Sequence, residues 1–372
     1  MKKVVIIQRT LVHYRKEFFN GLKTALNKEG VELTLIYGKQ TREEGLKKDE
    51  IDLEWSKCIP SVAIGIGNKT LTWQPCLKEL RDKDLVIVES ANKLILNYIL
   101  MIVRRYSKIK LGFWGHGRNM QDAPDSLGNR FKYLFIKQCD WWFAYTQGVK
   151  NFLIEKGYPE GQITAVQNAI DTQSLQDFYA KVTDAEIEAI REELELQGNH
   201  IGIFCGGIYP EKRIDFLLEC CINIKEKVPT FQMIFIGAGM DSPKVIKAAI
   251  QYPWIHYLGT KLGEHRVKYF KISSLFLMPG LVGLGILDSF AFETPIVTTN
   301  YEFHSPEIEY LEHGYNGIVT ENTVEAYSNT VAKILLEGDD QPMRENCRLS
   351  ARKYTIEQMV DNFKSGILKA LN

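Results

Sequence analysis

The stretch SSLFLMPGLVGLGILDSFAFETPIVTTN, residues 273–300, decides the fold. Two short apolar runs rich in β-forming residues, SLFLM and PIVTT, flank a helical segment, GILDSFAFE. A strand, a helix and a second strand in this order predict a βαβ unit on a parallel sheet. Pro279 and Gly280 end the first strand, and the helix that begins near Gly285 carries one acid, Asp288, in its first turn.

The same alternation runs through the rest of the chain. Residues 1–170 contain the strand-like runs VVIIQ, ELTLIYG, DLVIVES, KLGFWG and WWFAY, and residues 171–354 contain IGIFCGG, FQMIFIGAG, IHYLGT, SLFLMPG and PIVTTN. This pattern predicts the α/β class with two Rossmann-like, doubly wound domains. The amphipathic helix at 355–372 is expected to pack back on the first domain. Since ligands bind at the carboxyl ends of parallel strands, we expect the two domains to face each other across a ligand-binding cleft.

Composition excludes several classes of function. The 46 basic residues balance the 46 acidic ones, so no overall field attracts nucleic acid. The seven cysteines form no CxxC pair, which predicts reduced thiols, a cytoplasmic protein and no metal site. No uncharged stretch approaches the roughly 20 residues of a membrane span. The run NKLILNYILMIVRRYSKIK, residues 92–110, favours a buried helix, and peripheral contact with anionic lipid stays open.

Two glycine-containing turns follow strands of the second domain. Gly206 and Gly207 precede Lys212 and Arg213, which bring two cations to the start of the next helix. Amide groups and cations in this arrangement suit a diphosphate, although a tight turn with solvated side chains explains the pattern equally well. The second turn, which contains Gly237, permits close approach to a ligand and also fits any turn between a strand and a helix.

Asp288 is the most informative single residue. A fixed carboxylate beside a cation-lined loop is placed to accept hydrogen bonds from the vicinal hydroxyls of a ribose. The alternative is an acid that only stabilises its own helix.

Together these segments resemble the GT-B glycosyltransferases, and in particular the retaining family 4, which uses nucleotide-sugar donors without a metal. GGIYPEKRIDFLL, residues 206–218, resembles the phosphate-binding loop of the family, and FQMIFIGAGMD, residues 231–241, its next strand and turn. The segment 255–280, which includes Leu258, resembles the base-binding strand with the helix and strand after it. HSPEIEYLEHGYNGIV and QNAID resemble the Pro-Glu segment and the interdomain link. The resemblance implies that residues 1–170 bind the acceptor and residues 171–354 the donor.

The resemblance is incomplete at two family positions. The paired glutamates of the family fall on Gly280 and Asp288, so the first acid is missing and the second is one methylene shorter. The arginine of the phosphate loop aligns with Gly207, which leaves Lys212 and Arg213 to hold the diphosphate. We expect the backbone amides of three further residues to contact the donor: Val282, Gly283 and Leu284.

In the first domain, two loops are candidates. The loop after the first strand, QRTLVHYRKEFF, offers Arg9, His13 and Tyr14 to an anionic acceptor. His116, between two glycines, occupies the place of an active-site histidine in related enzymes, and Arg118 stands beside it. A lone histidine is as often structural.

The resemblance thus implies a glycosyltransferase that moves a sugar from a UDP- or GDP-sugar to a glycan or lipid-linked acceptor with retention, in surface polysaccharide synthesis. No cofactor, metal or nucleic acid is expected. The alternatives are a non-catalytic nucleotide-sugar-binding homologue and a sugar-nucleotide epimerase. An NAD-dependent oxidoreductase is disfavoured because the first turn, IIQRTLVHYR, lacks GxGxxG.

Overall fold

The computed structural model describes residues 1–40, 49–67, 69–120, 123, 125–338 and 340–372. The chain forms two compact units. The first comprises Met1–Ile170 with Ile356–Asn372, and the second comprises Asp171–Thr355.

The first unit is built on a seven-stranded parallel sheet and carries a separate antiparallel hairpin. Its strands are β1 (Lys2–Gln8), β2 (Val31–Gly38), β3 (Lys57–Ile59), the hairpin strands β4 (Val62–Ile66) and β5 (Lys69–Trp73), β6 (Leu85–Glu89), β7 (Lys110–Gly115), β8 (Trp141–Ala144) and β9 (Ile163–Ala165). The order in the large sheet is β3-β2-β1-β6-β7-β8-β9. Its helices are α1 (Lys16–Lys28), α2 (Ile95–Val103), α3 (Leu127–Phe135) and α4 (Gln147–Glu155).

The second unit is built on a six-stranded parallel sheet in the order β12-β11-β10-β13-β14-β15. The strands are β10 (Ile201–Cys205), β11 (Gln232–Ile236), β12 (Ile255–Tyr257), β13 (Leu275–Leu277), β14 (Ile296–Thr299) and β15 (Gly317–Thr320). The helices are α5 (Thr172–Lys181), α6 (Asp184–Glu193), α7 (Ile214–Lys227), α8 (Ser242–Gln251), α9 (Val267–Lys271), α10 (Gly285–Ala291), α11 (Val324–Glu337) and α12 (Gln341–Ala351).

Both sheets are doubly wound, so the predicted fold class is confirmed. The strand order reverses between β1 and β6 in the first sheet and between β10 and β13 in the second. The middle residues of the central strands are apolar because both faces of such a sheet are covered; in β10 all five residues are buried. The reversal points matter for function, since ligands of such folds bind where the strand order changes direction.

Several strands were not predicted from sequence, among them the edge strand β15 of the second sheet. β3 and β9 are three-residue edge strands, and the hairpin β4–β5 lies apart from the large sheet. Three residues are too few to show a periodicity, and they form strands because a longer neighbour supplies the hydrogen-bonding edge.

The last helix, α13 (Ile356–Leu371), belongs to the first unit. Phe363 is fully buried; its ring stacks on Phe143 with centroids 4.4 Å apart and meets Trp114 edge-on at 5.0 Å. A Cβ at Gly366 would lie 2.6 Å from the Thr164 hydroxyl oxygen, so the glycine allows the helix to approach the sheet closely. The C-terminal segment therefore completes the core of the N-terminal unit.

Replacing Phe363 by alanine should lower the free energy of unfolding by about 3–5 kcal/mol, because a fully buried aromatic ring is lost. Urea unfolding followed by fluorescence measures the change. Lys369→Ala, on the exposed face of the same helix, is the matched control and should change stability by less than about 0.5 kcal/mol. Equal stability of the two variants would contradict the packing described for α13.

Candidate functional site

The loops that follow β10 and β13 touch each other backbone to backbone at the reversal point of the second sheet. A Cβ at Gly280 would lie 2.5 Å from the carbonyl oxygen of Glu211 and 2.6 Å from the carbonyl carbon of Lys212. The amide of Leu281 donates to that same Glu211 oxygen at 2.9 Å. A side chain at position 280 would have to displace main chain, so the glutamate that the family resemblance places here has no room in this chain.

Lys212 reaches under the loop after β13. Its side chain is buried, and its ammonium donates a hydrogen bond to the carbonyl oxygen of Leu281 and lies 3.5 Å from the sulfur of Met278. A buried ammonium is costly without such partners, so the lysine is held in one place. The structure thus brings Lys212 to the predicted donor loop.

His304 holds the same loop from the other side. Its Nδ1 accepts the backbone N–H of Val282 at 3.0 Å, and its Nε2 lies 2.9 Å from the carbonyl oxygen of Thr299. These partners require a neutral ring with the proton on Nε2. Burial lowers the pKa of His304, and the nearby positive charges of Lys212 and Arg213 lower it further, which favours the neutral form.

The amides of this loop differ in availability. Val282, expected to contact the donor, donates its N–H to His304 instead. In the described part of the unit, the N–H groups of Gly283 and Leu284 donate to no protein acceptor. A ligand bound at this loop could therefore accept hydrogen bonds from the N–H groups of Gly283 and Leu284, but not from that of Val282.

Arg213 follows Lys212 in the chain and has a left-handed backbone with φ of 57°. Its guanidinium lies 4.1 Å from the ring centroid of Phe216 and 5.2 Å from that of Tyr301, and it donates to the side chain of Asn322. Burial lowers the pKa of Arg213. Its predicted diphosphate contact would need this stacked side chain to reorient.

Asp288 is paired with a cation that the sequence did not reveal. Both carboxylate oxygens accept hydrogen bonds from Arg266 at 2.7 Å, in a two-pronged arrangement. Both side chains are largely buried, with 7% of Asp288 and 15% of Arg266 exposed. Burial opposes the charge of Arg266, but the adjacent carboxylate keeps the pKa of this arginine above its ordinary value.

The glycines in the turns of the second unit allow neighbouring segments to pack closely. A Cβ at Gly237 would lie 1.8 Å from the carbonyl oxygen of Gly206, and the ring of Tyr209 lies 2.6 Å from the corresponding position at Gly207. Leu258 follows β12, and its amide donates to Phe235 at 3.0 Å. This packing accounts for the glycines without a ligand, and their donor contacts stay predictions.

In the first unit, the strand ends at the reversal point carry charged side chains. The amide of Arg9, after β1, donates to the carboxylate of Glu89 at 2.7 Å. Glu89 ends β6, and burial raises its pKa. In the same loop as Arg9, the ring of His13 meets that of Tyr14 edge-on at 5.9 Å. Arg15 is buried, with its guanidinium 4.9 Å from the ring centroid of Trp114.

His116 follows β7, next to β6 in the sheet. Its ring lies 4.4 Å from that of Tyr145. Burial, with the positive charges of Lys132 and Arg15, lowers the pKa of His116 to about 3, so the ring is neutral at pH 7. Lys132 donates to the carbonyl oxygen of Ser90 at 2.6 Å, and burial lowers its pKa to about 8. Arg118 lies over the ring of Phe152, 5.5 Å from its centroid.

The chain is similar to known glycosyltransferases in sequence and in fold. Residues 186–354 match the family model described as Glycosyl transferases group 1. An uncharacterized glycosyltransferase of Methanocaldococcus jannaschii is 23% identical over 275 residues, which is 68% of this chain and 66% of the relative. The chain therefore spans just under two thirds of the length of that curated relative.

Solved structures show the same fold over both units. Anabaena HepE in complex with UDP has a TM-score of 0.71 at 12% identity, with 99% of this chain and 100% of HepE covered. A glycosyltransferase from Rickettsia africae has a TM-score of 0.70 at 16% identity, with 99% and 98% covered. The structural neighbours are GT-B glycosyltransferases, so the fold of this chain is that of GT-B.

Sequence reasoning missed several residues in both units. Arg266 and His304 hydrogen-bond Asp288 and Val282. In the first unit, Glu89 ends β6, and Lys132 on α3 donates to the carbonyl oxygen of Ser90. Glu89 had a usable signal, because it is the next-to-last residue of the predicted strand DLVIVES. The partner of an internal arginine or histidine has no such signal, since spacing along the chain does not reveal it.

The Arg266–Asp288 pair can be tested by a double-mutant cycle. Arg266→Met leaves a buried carboxylate without its partner and should lower the free energy of unfolding by about 3–5 kcal/mol. Arg266→Met/Asp288→Leu buries no charge and should recover most of that loss. Urea unfolding measures both variants; if the double variant is as unstable as the single one, the pair does not hold the site together.

The neutral state of His304 predicts a pH dependence. A histidine whose folded pKa is depressed supports stability above its unfolded pKa of about 6.5, and this support is lost as pH falls below that value. Between pH 8 and pH 5.5 it accounts for a loss of up to about 1.4 kcal/mol. His304→Asn keeps an acceptor for Val282 but does not titrate, so its free energy of unfolding should fall by that much less over the same range. Parallel pH curves for the two proteins would rule this out.

Proposed function

We propose that the chain is a retaining glycosyltransferase of family 4 that takes a sugar from a UDP- or GDP-sugar and transfers it to a glycan or lipid-linked acceptor. The observation that carries the proposal is the meeting of Lys212 with the loop after β13, where the N–H groups of Gly283 and Leu284 have no protein acceptor in the described structure. An ammonium and two amides at a strand-order reversal suit a diphosphate. HepE, solved with UDP and with UDP-glucose, supports a uridine nucleotide.

In the proposed reaction, the bond between the anomeric carbon and the diphosphate oxygen breaks as the acceptor oxygen attacks from the same face. The acceptor proton goes to the departing diphosphate oxygen, so no strong protein base is needed. Lys212 and the two amides stabilise the charge that develops on the diphosphate. Arg213 joins them if its side chain leaves the ring of Phe216. Neither step needs a metal or a cofactor.

Asp288 is proposed to accept the ribose hydroxyls with the lone pairs that Arg266 leaves open, because a carboxylate offers about four acceptor positions. Gly206, Gly207, Gly237 and Leu258 line the nucleotide on this proposal. In the first unit, neutral His116 is proposed to hydrogen-bond the transferred sugar. Arg9, His13, Tyr14 and Arg118 are proposed to bind an anionic acceptor.

The proposed role is surface polysaccharide synthesis in the cytoplasm, with peripheral contact at the inner face of the membrane. None of the helices formed by the described residues has both the length and the apolar character needed to cross a bilayer. A lipid-linked acceptor would bring the enzyme to that face.

A second candidate is a nucleotide-sugar-binding protein without catalysis. It is favoured by the lack of room for a glutamate at Gly280, since the family places an acid there that contacts the sugar. Slow release of free sugar from a bound donor would favour the transferase, and tight donor binding without any turnover would favour this second candidate.

Nucleotide binding and the role of Lys212 can be tested together. A nucleotide at about 100 times its dissociation constant should stabilise the fold by about 2.7 kcal/mol, so a thermal-shift screen of UDP, GDP, ADP and CMP identifies the base. Lys212→Ala should then lower turnover by about 10²-fold or more, because a preorganised positive charge is removed.

The control for this experiment is Lys333→Ala, an exposed lysine on α11 of the same unit, which should leave turnover unchanged. Near-normal turnover of Lys212→Ala would remove the lysine from the mechanism. The absence of any nucleotide-induced shift would contradict the donor site as a whole.

A further inference from the structure

Two helices of the first unit, α2 and α3, form one continuous surface. The ring of Tyr98 on α2 lies 6.1 Å from that of Phe131 and 5.5 Å from that of Phe135, both on α3. Beyond the helix ends, Arg105 donates to the side chain of Gln138 at 2.8 Å. The two helices therefore contact each other, and so do the turns that follow them.

This surface exposes large apolar side chains. On α3, Leu127, Phe131 and Leu134 follow one another at helical spacing and are exposed by 82%, 45% and 70%. On the α2 side, Ile102 is 61% exposed and Tyr106, in the turn after the helix, is 87% exposed. Single exposed apolar residues are ordinary, but a group on two adjoining helices indicates a contact surface.

The same segment concentrates positive charge. Residues 93–138 contain nine lysines and arginines and two aspartates, although the whole chain carries 46 residues of each sign. One exposed basic residue, Arg105, donates to Gln138. Three others lie within three sequence positions of the exposed apolar residues: Lys108, Arg130 and Lys137. The rest of the chain is correspondingly acidic, so the excess is a local property of this segment.

We propose that the α2–α3 surface, made of these five apolar and three basic side chains, docks on an anionic lipid bilayer. Apolar side chains enter the headgroup boundary, and basic ones around them attract the anionic lipid. A second copy of this chain fits less well, because two-fold pairing would bring the basic residues of both copies together. Only the purpose of this docking rests on the proposed function: it would bring the enzyme to a lipid-linked acceptor.

The test is co-sedimentation of the full chain with vesicles of phosphatidylcholine alone and of phosphatidylcholine with 30% phosphatidylglycerol. Binding should be strong only to the anionic vesicles and should weaken in 0.5 M NaCl, because salt screens the attraction. Lys108→Gln/Arg130→Gln/Lys137→Gln should weaken this binding by about 10²-fold, at about fivefold for each basic residue lost near the surface. Leu127→Ser/Leu134→Ser should weaken it by at least tenfold.

Matched controls lie in the second unit. Lys227→Gln/Lys247→Gln/Lys333→Gln makes the same charge change at exposed positions, and Ile250→Ser removes an apolar side chain that is 83% exposed on α8. Both controls should bind vesicles like the original protein. Equal loss in the controls and the α2–α3 variants would overturn the proposal, as would equal binding to neutral vesicles or none to either.

Light scattering after size-exclusion chromatography tests the alternative occupant, a second copy of this chain. A dimer that Leu127→Ser/Leu134→Ser dissociates would show that this surface joins two copies, and it would overturn the membrane assignment. Vesicle binding is measured without turnover, so it is independent of the proposed chemistry. Vesicle binding without any nucleotide-induced thermal shift would reject the transferase alone, and the reverse result would reject the docking surface alone.

Discussion

The contact between the loops after β10 and β13 is the constraint on which the candidate site depends. Gly280 packs against the main chain of Glu211 and Lys212, and the amide of Leu281 donates to the carbonyl oxygen of Glu211. With the two backbones in contact, the buried Lys212 ammonium donates a hydrogen bond to the carbonyl oxygen of Leu281. The same contact removes space for any side chain at position 280. One packing requirement therefore both fixes the lysine and excludes an acid.

The second unit handles its buried charges by pairing and by direct contact with main-chain oxygen. Asp288 and Arg266 neutralise each other in a two-pronged pair, and Lys212 is satisfied by a carbonyl. Because the pair carries no net charge, the positive charge of the lysine is not cancelled by Asp288 as a free carboxylate would cancel it. A diphosphate bound at this loop, as proposed, would benefit from that arrangement. The pair also fixes the direction of the carboxylate, which a ribose would then have to match.

The fold was predictable from sequence, and the site was predictable only in part. Apolar runs such as IGIFC and PIVTT give strands because a sheet covered on both faces accepts little else, so the two-domain α/β class followed from periodicity. Lys212 and Asp288 were found because each follows a strand end. Their partners were not found: Arg266 lies 22 residues before Asp288, and His304 lies 22 residues after Val282. A pairing of that kind depends on how helices and loops pack, and one sequence without relatives does not record it.

The protonation states in the first unit bear on the type of chemistry. A general base must be free to accept a proton near the working pH. His116 has its pKa lowered to about 3 by burial and by nearby positive charges, so it gains a proton reluctantly. Lys132 is bound to the Ser90 carbonyl, and Glu89 already accepts the amide of Arg9. His116 is therefore suited to orient a ligand by hydrogen bonds more than to remove its proton. Burial moves the pKa values of Glu89 and Lys132 toward neutral pH, upward for the carboxyl group and down to about 8 for the lysine. In the proposed reaction the leaving diphosphate takes the acceptor proton, and that step requires no base from these three residues.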